Sequence, residues 1–230
     1  MEWTIDFKEF LSRLQMKDIA DLEKELRLPQ MEKVQRIVPL RNLKRVDSLL
    51  PMREKLLFYI IGQIETLDKR KVFANARIWA MVKIDPKNLV LGQKFVYREI
   101  YQGLLEHVPK IFAEFCVNEG ISNFGAYLVF GWDETDSYCL ALYLPPIVEE
   151  HGPHSVIMDG VHRSFIAMQT GSAINAILVE NVSLPFPCSF RTWNDVKVIN
   201  LSEKPKDIEA RYFGLRKGLF RDLKYLGIDG

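Results

Sequence analysis

Apolar residues at helical spacing dominate the first quarter of the chain. Asp6 and Glu9 have capping-box spacing at the start of the first run, and Pro51 suits the first turn of the third. Between the second and third runs, Pro39 and Pro51 enclose a basic linker or short element. Intervals of three and four residues place the apolar side chains on one helix face, and the pattern predicts a helical region over residues 1–75. The three runs are Phe7, Phe10, Leu11 and Leu14; Ile19, Leu22 and Leu26; and Leu56, Leu57, Ile60, Ile64 and Leu67.

After Lys71 the pattern changes to an alternation of strands and helices. Short apolar runs bounded by turn residues indicate strands, and longer runs at helical spacing indicate helices. The polar residues 133–137 predict a hairpin loop, and residues 151–154 predict a second turn. The predicted strands are 77–84, 127–130, 138–143, 155–158 and 174–180, and the predicted helices are 96–116 and 162–170.

Helical spacing returns in the last thirty residues. An apolar face formed by Ile208, Tyr212, Leu215, Leu219, Leu223 and Leu226 runs to Gly227, which is a natural helix stop. We therefore expect an α/β (α+β) fold in three parts. These are a helical N-terminal region over residues 1–75, a mixed domain over 76–200 and a C-terminal helix over 201–230 that packs on the domain.

Composition narrows the class of protein but does not identify a partner. The 230 residues are 48% hydrophobic, and the formal net charge is +1, so nothing draws the whole chain towards nucleic acid or an anionic membrane. Residues 33–71 nevertheless carry ten Lys or Arg and four acids. Three widely spaced cysteines argue against a disulfide framework or zinc knuckle. With no signal-like leader and no membrane-length apolar run, we expect a cytoplasmic protein without a membrane partner.

The segment from Val156 to Ala167 carries the most specific chemistry. An apolar strand leads to Asp159-Gly160, and His162 and Arg163 open a short helix that runs to Gly171. The start of a helix presents free backbone N–H groups and a partial positive charge, which together attract phosphate. The fork of an Arg guanidinium matches phosphate oxygens. The segment therefore predicts a phosphate-binding turn.

This segment resembles the signature of the ParB/sulfiredoxin superfamily. In that family an apolar strand leads to a D-G-x-H-R or G-x-x-R turn, a short helix, a Gly and another strand, which is the order of residues 157–180 here. The similarity spans about residues 78–182 and implies a small mixed sheet with helices. Family members include ATP-using sulfiredoxins, CTP-binding partition proteins and free-serine kinases.

The resemblance implies roles for individual residues of the motif. Gly160, His162, Arg163 and Ser164 would contact the phosphates of ATP, ADP or CTP, and Asp159 would set the turn or help to hold Mg²⁺. Val161 stands where sulfiredoxins carry their reactive cysteine, so reduction of sulfinic acids is not expected. Partition proteins also add a helix-turn-helix module, which we do not expect in residues 183–230.

Three functions remain open from the sequence. The first is a nucleotide-dependent phosphotransferase or nucleotide hydrolase, whose catalytic carboxylate would be Glu99, Glu149 or Asp159. The second is a DNA-associated module that contacts the nucleic-acid backbone through Lys44, Arg45 and Arg53. The third is a nucleotide-sensing partner protein without turnover. The sequence leaves the acceptor substrate, the base preference and the oligomeric state undetermined.

Overall fold

The computed structural model describes residues 3–14, 28, 30–115 and 125–228. The predicted helical run at Ile19–Leu26 and Cys116 lie outside the described residues. The α-helices are α1 (Phe7–Arg13), α2 (Glu54–Gly62), α3 (Arg98–Phe115) and α4 (Val161–Thr170). The strands are β1 (Ile5–Asp6), β2 (Arg36–Ile37), β3 (Arg45–Pro51), β4 (Arg77–Ile84), β5 (Val90–Leu91), β6 (Phe95–Tyr97), β7 (Tyr127–Trp132), β8 (Tyr138–Tyr143), β9 (Ile147–His151), β10 (His154–Asp159), β11 (Ile174–Glu180) and β12 (Lys197–Ile199).

The chain divides into two compact units, each made of separate segments. Unit 1 comprises the described residues within 1–64, 125–144 and 222–228, and unit 2 comprises residues 65–115 and 145–221. This division differs from the predicted one at 75/76 and 200/201. The predicted hairpin of β7 and β8 lies in the middle of the chain yet belongs to unit 1, because its outer edges pair with β3 and β2.

The described part of unit 1 is a five-stranded sheet with two α-helices. The strand order is β1-β2-β8-β7-β3, and the apolar side chains of β7 and β8 are buried. The carboxylate of Asp6 accepts the backbone N–H groups of Lys8 and Glu9, which caps α1 as its sequence predicts. The predicted hairpin and its loop are confirmed, with Tyr127 opposite Tyr143.

The structure does not confirm a helical N-terminal region over residues 1–75. The first and third predicted helices are present as α1 and α2, but three strands of the unit 1 sheet lie in the same part of the chain. Pro51 does not begin a helix; it ends β3, and α2 begins at Glu54. The basic segment between Pro39 and Pro51 thus forms a strand, because the apolar edge of β7 offers it a backbone partner.

Unit 2 contains the second five-stranded sheet, in the order β4-β11-β9-β10-β5. Strands β4 and β11 have the bounds that their apolar runs predict, and both β10 and α4 are where the motif places them. A separate parallel pair joins β6 and β12. Around the sheet lies a core formed by Leu89, Leu91, Val96, Val148, Ile157, Val161 and Ala176.

The predicted C-terminal helix is wrong. The described residues after 200 form short 3-10 turns at Leu201–Glu203, Glu209–Arg211, Lys217–Leu219 and Lys224–Leu226. Tyr212 is extended, and Gly214 has a φ of 59°, which interrupts any helix. The backbone N–H of Phe213 donates to the Gly92 carbonyl and that of Arg216 to the Pro187 carbonyl. These N–H groups are therefore used in pairing with distant segments instead of a helix.

Across residues 3–14, 28, 30–115 and 125–228, none of the helices is both long enough and apolar enough to span a bilayer.

Candidate functional site

The turn between β10 and α4 requires a glycine for two reasons. Gly160 has a φ of 84°, in the left-handed region that residues with a Cβ rarely adopt. A Cβ at this position would also lie 2.7 Å from Cβ and 2.9 Å from Cα of Pro146. The strand therefore turns sharply into the helix against the Pro146 backbone, as a phosphate-binding turn requires, but packing alone also explains the glycine.

The amino terminus of α4 carries no side-chain cap. The N-cap residue is Gly160, which has no side chain to accept a hydrogen bond, and the helical ladder begins with the Ser164 N–H donating to the Gly160 carbonyl at 2.9 Å. Capping side chains normally satisfy N–H groups in the first turn. The backbone of this turn is thus suited to an anion.

Arg163 and Asp159 form an ion pair across this turn. The distance from Nη2 of Arg163 to Oδ2 of Asp159 is 3.3 Å, and the exposed fractions of the two side chains are 18% and 2%. The carboxylate thus orients the guanidinium and balances part of its charge. Of the side chains from Asp159 to Ser164, that of Arg163 is one of the least buried.

His162 points into the protein. Its Nε2 accepts the backbone N–H of Tyr97 at 3.1 Å, and the two rings stack with centroids 5.8 Å apart. Burial, together with the positive charges of Lys204 and Arg163, lowers the pKa of His162 to about 4. The imidazole is therefore neutral near pH 7, as an Nε2 that accepts a hydrogen bond must be. His162 therefore joins α4 to the residue that precedes α3.

Two buried hydroxyl groups border the turn. The Ser164 side chain is fully buried, and Tyr97 is 4% exposed. Within the described part of the chain, neither Oγ of Ser164 nor Oη of Tyr97 has a hydrogen-bond partner. Unsatisfied buried polar atoms are rare in folded proteins and recur at functional sites. Burial raises the pKa of Tyr97, and Arg211 opposes that shift.

Basic and aromatic residues from the C-terminal part of unit 2 surround Tyr97. The Nζ of Lys204 lies 5.1 Å from the centroid of the Tyr97 ring. The guanidinium of Arg211 donates to the carbonyls of Pro205 and Lys206 at 2.7 and 2.9 Å. Sequence reasoning missed these residues. They lie more than forty residues after the motif, where the helical spacing pointed to a different structure.

Glu149, a predicted catalytic carboxylate, is the centre of a buried ion-pair cluster. It is fully buried in β9, where Arg221 donates to Oε1 from Nε at 3.0 Å and to Oε2 from Nη2 at 2.8 Å. Nε2 of His151 lies 2.7 Å from Oε2 of Glu149. Arg221 also donates to the carbonyls of Leu219 and Pro185. These contacts occupy three of the roughly four acceptor sites of the carboxylate, and they tie the C-terminal end of unit 2 to the sheet.

The other candidate carboxylates also have partners. Glu99 is exposed in the first turn of α3, where its Oε2 accepts the Leu201 N–H at 2.7 Å. Asp159 is engaged with Arg163. Among the residues that the structure describes, no group of three or more His, Cys, Asp or Glu could hold a metal ion. A Mg²⁺ ion at Asp159 would therefore depend on phosphate oxygens and water for most of its ligands.

The predicted nucleic-acid contacts lie in unit 1. Lys44, Arg45 and Arg53 are exposed, and the guanidinium of Arg45 lies 3.9 Å from the centroid of the Trp132 ring. Lys44 and Arg45 stand at the beginning of β3, whereas Arg53 follows its end. A rise of about 3.3 Å per residue separates the two groups by roughly 20 Å. The structure thus distributes these charges along a strand, and DNA contact stays a prediction.

No family model matches this sequence, and searches of curated proteins and of solved structures return no significant match. The resemblance to the ParB/sulfiredoxin superfamily therefore rests on the motif residues and on the order of the elements around them. It remains a prediction.

Proposed function

We propose that unit 2 binds a nucleotide through its phosphate groups at the amino terminus of α4. The observation that carries this proposal is the turn itself, in which a left-handed glycine opens an uncapped ten-residue helix beside the Arg163 guanidinium. Backbone N–H groups, the helix dipole and an oriented guanidinium all favour an anion at one place. ATP, ADP and CTP with Mg²⁺ are the ligands that the sequence motif implies.

Binding without turnover is the form of this function that the site supports best. Phosphoryl transfer usually needs a carboxylate that positions or deprotonates the nucleophile. Glu149 is buried and bonded to Arg221 and His151, and Asp159 is paired with Arg163. Glu99 would first have to release the Leu201 N–H. We therefore favour a nucleotide-sensing protein over a phosphotransferase.

A thermal-shift series tests the proposal. ATP, ADP, CTP and GTP, each with Mg²⁺, should raise the Tm of the wild type, because a ligand at a hundred times its Kd contributes about 2.7 kcal/mol to stability. Arg163→Ala should abolish the rise. Arg77→Ala is the matched control, since Arg77 is an exposed arginine of unit 2 whose guanidinium lies on the Trp79 ring. A wild-type Tm that no nucleotide changes would refute the proposal.

A further inference from the structure

Lys204 is held beside the proposed phosphate site by its backbone. It follows the 3-10 turn Leu201–Glu203, in which Asn200 and Glu203 form a reciprocal capping box. The Leu201 N–H is bound by Glu99, and the carbonyls of the two residues after Lys204 accept hydrogen bonds from Arg211. The backbone on both sides of Lys204 is therefore fixed, while its side chain is exposed.

The ammonium group of Lys204 and the guanidinium of Arg163 act on the same helix turn. Lys204 lies over the Tyr97 ring, which in turn stacks on the His162 ring. His162 precedes Arg163 in the first turn of α4, so the two stacked rings link Lys204 to that turn. Because the imidazole stays neutral and buried, the field of two cations adds to the helix dipole there.

The Tyr97 hydroxyl provides an independent indication of a ligand. It is buried, and its oxygen lacks a hydrogen-bond partner among the described residues. The ring that carries this hydroxyl stacks on His162, which lies in the first turn of α4. A lysine side chain over the ring is long and flexible, so it can move to an incoming anion and uncover this hydroxyl.

We infer that Lys204 and the Tyr97 hydroxyl form a second anion subsite, so that the α4 site takes two linked phosphates in preference to one. Arg163 and the helix start hold the first phosphate, and Lys204 binds the second by a charge-assisted hydrogen bond. The preferred ligands are therefore di- and triphosphates. This inference rests on the proposed function of the same site.

Calorimetric titration with inorganic phosphate and pyrophosphate separates the two subsites. The wild type should bind pyrophosphate at least about tenfold more tightly than phosphate, since one additional charge-assisted contact has about that effect. Lys204→Gln should remove most of this preference and leave the affinity for phosphate unchanged. Lys206→Gln is the matched control, because it removes an equally exposed lysine two residues away. Arg163→Ala should weaken both ligands.

Tyr97→Phe tests the hydroxyl without removing the ring beneath Lys204. It should lower pyrophosphate affinity by about fivefold, the effect of one lost hydrogen bond, while the Tm stays at or above that of the wild type. The inference is overturned if the wild type binds the two anions equally, if both lysine variants weaken pyrophosphate to the same extent, or if Tyr97→Phe binds pyrophosphate as well as the wild type. If the wild type binds neither anion and no nucleotide, the proposed function itself fails.

Discussion

At the scale of single residues, the motif combines structural and binding tasks that the sequence cannot separate. Gly160 satisfies a left-handed turn and a close approach to Pro146, and His162 accepts a backbone N–H from the interior. Arg163 is more exposed than Gly160 and His162. A D-G-x-H-R pattern therefore predicts the turn well. It does not show which of its side chains face a ligand, because that depends on Tyr97, sixty-five residues from His162.

His162 should make the stability of the protein dependent on pH below neutrality. Its pKa in the folded protein is about 4, against an ordinary value of 6.5, so the unfolded chain binds a proton that the folded chain excludes. The contribution of the neutral ring is fully present above pH 6.5 and is lost as the pH falls towards 4, by about 3 kcal/mol. Urea unfolding of the wild type from pH 7 to pH 4 measures this loss.

His162→Gln provides the comparison, because its side-chain carbonyl can accept the Tyr97 N–H without titrating. The free energies of unfolding of the two proteins should converge as the pH falls, since all other titrating groups are shared. Parallel pH profiles would show that His162 is not the titrating group.

Gly160→Ala should be more destabilising than an ordinary substitution at a left-handed glycine. The added methyl group would meet Pro146 in addition to the unfavourable φ, and the two effects together should cost about 3 kcal/mol. Gly171→Ala is the matched control at the other end of α4. Gly171 has a φ of 67° but no atom within 4 Å of the added Cβ, so about 1 kcal/mol is expected. Equal losses in chemical denaturation would contradict the role of the Pro146 contact.

At the scale of elements, the sequence predicts those strands that are buried on both faces and those helices that are buried on one face. β11, α4 and the β7–β8 hairpin are of this kind, and their apolar patterns end at turn residues. The sequence pattern does not predict the structure of the C-terminal segment. Its apolar residues repeat at helical spacing, yet its backbone N–H groups bond to carbonyls of distant loops such as Gly92 and Pro187. The periodicity of apolar residues shows only which side chains are buried, and a series of short 3-10 turns can bury side chains at a similar spacing.

The edge strand β3 depends on a glycine in its neighbour. A Cβ at Gly131 of β7 would overlap the Arg45 carbonyl oxygen and lie 3.1 Å from Cα of Val46. Gly131→Ala should therefore weaken the pairing of β3 with β7 near the bulge between Val46 and Ser48, at a cost of about 1–3 kcal/mol. Faster hydrogen exchange of the β3 amides would report the loss. Gly62→Ala, at the end of α2 with open space around the added methyl, should leave β3 exchange unchanged.

At the scale of the whole molecule, the mixed α/β class was predictable, and the assignment of segments to units was not. Local patterns predict a strand, but they do not identify its partner. The hairpin sits between the two parts of unit 2 in sequence and pairs with β2 and β3 of unit 1. The same limitation applies to predicting the candidate site from the sequence. The motif was found at Asp159–Ser164, whereas the Glu149–Arg221 pair and the Tyr97–Lys204 contact join residues that only the fold brings together.

The three-segment composition of unit 1 determines the order in which the protein can fold during synthesis. Leu226 and Ile228 are buried in unit 1, and Ile228 forms a β-bridge with Leu142. The β1–β2 region leaves the ribosome long before these residues, but its core is completed only when they arrive. Unit 2 has all of its described residues by Arg221, so it can form earlier. β1 and β2 therefore wait for Leu226 and Ile228 before their core is complete, which lengthens their exposure to chaperones and proteases.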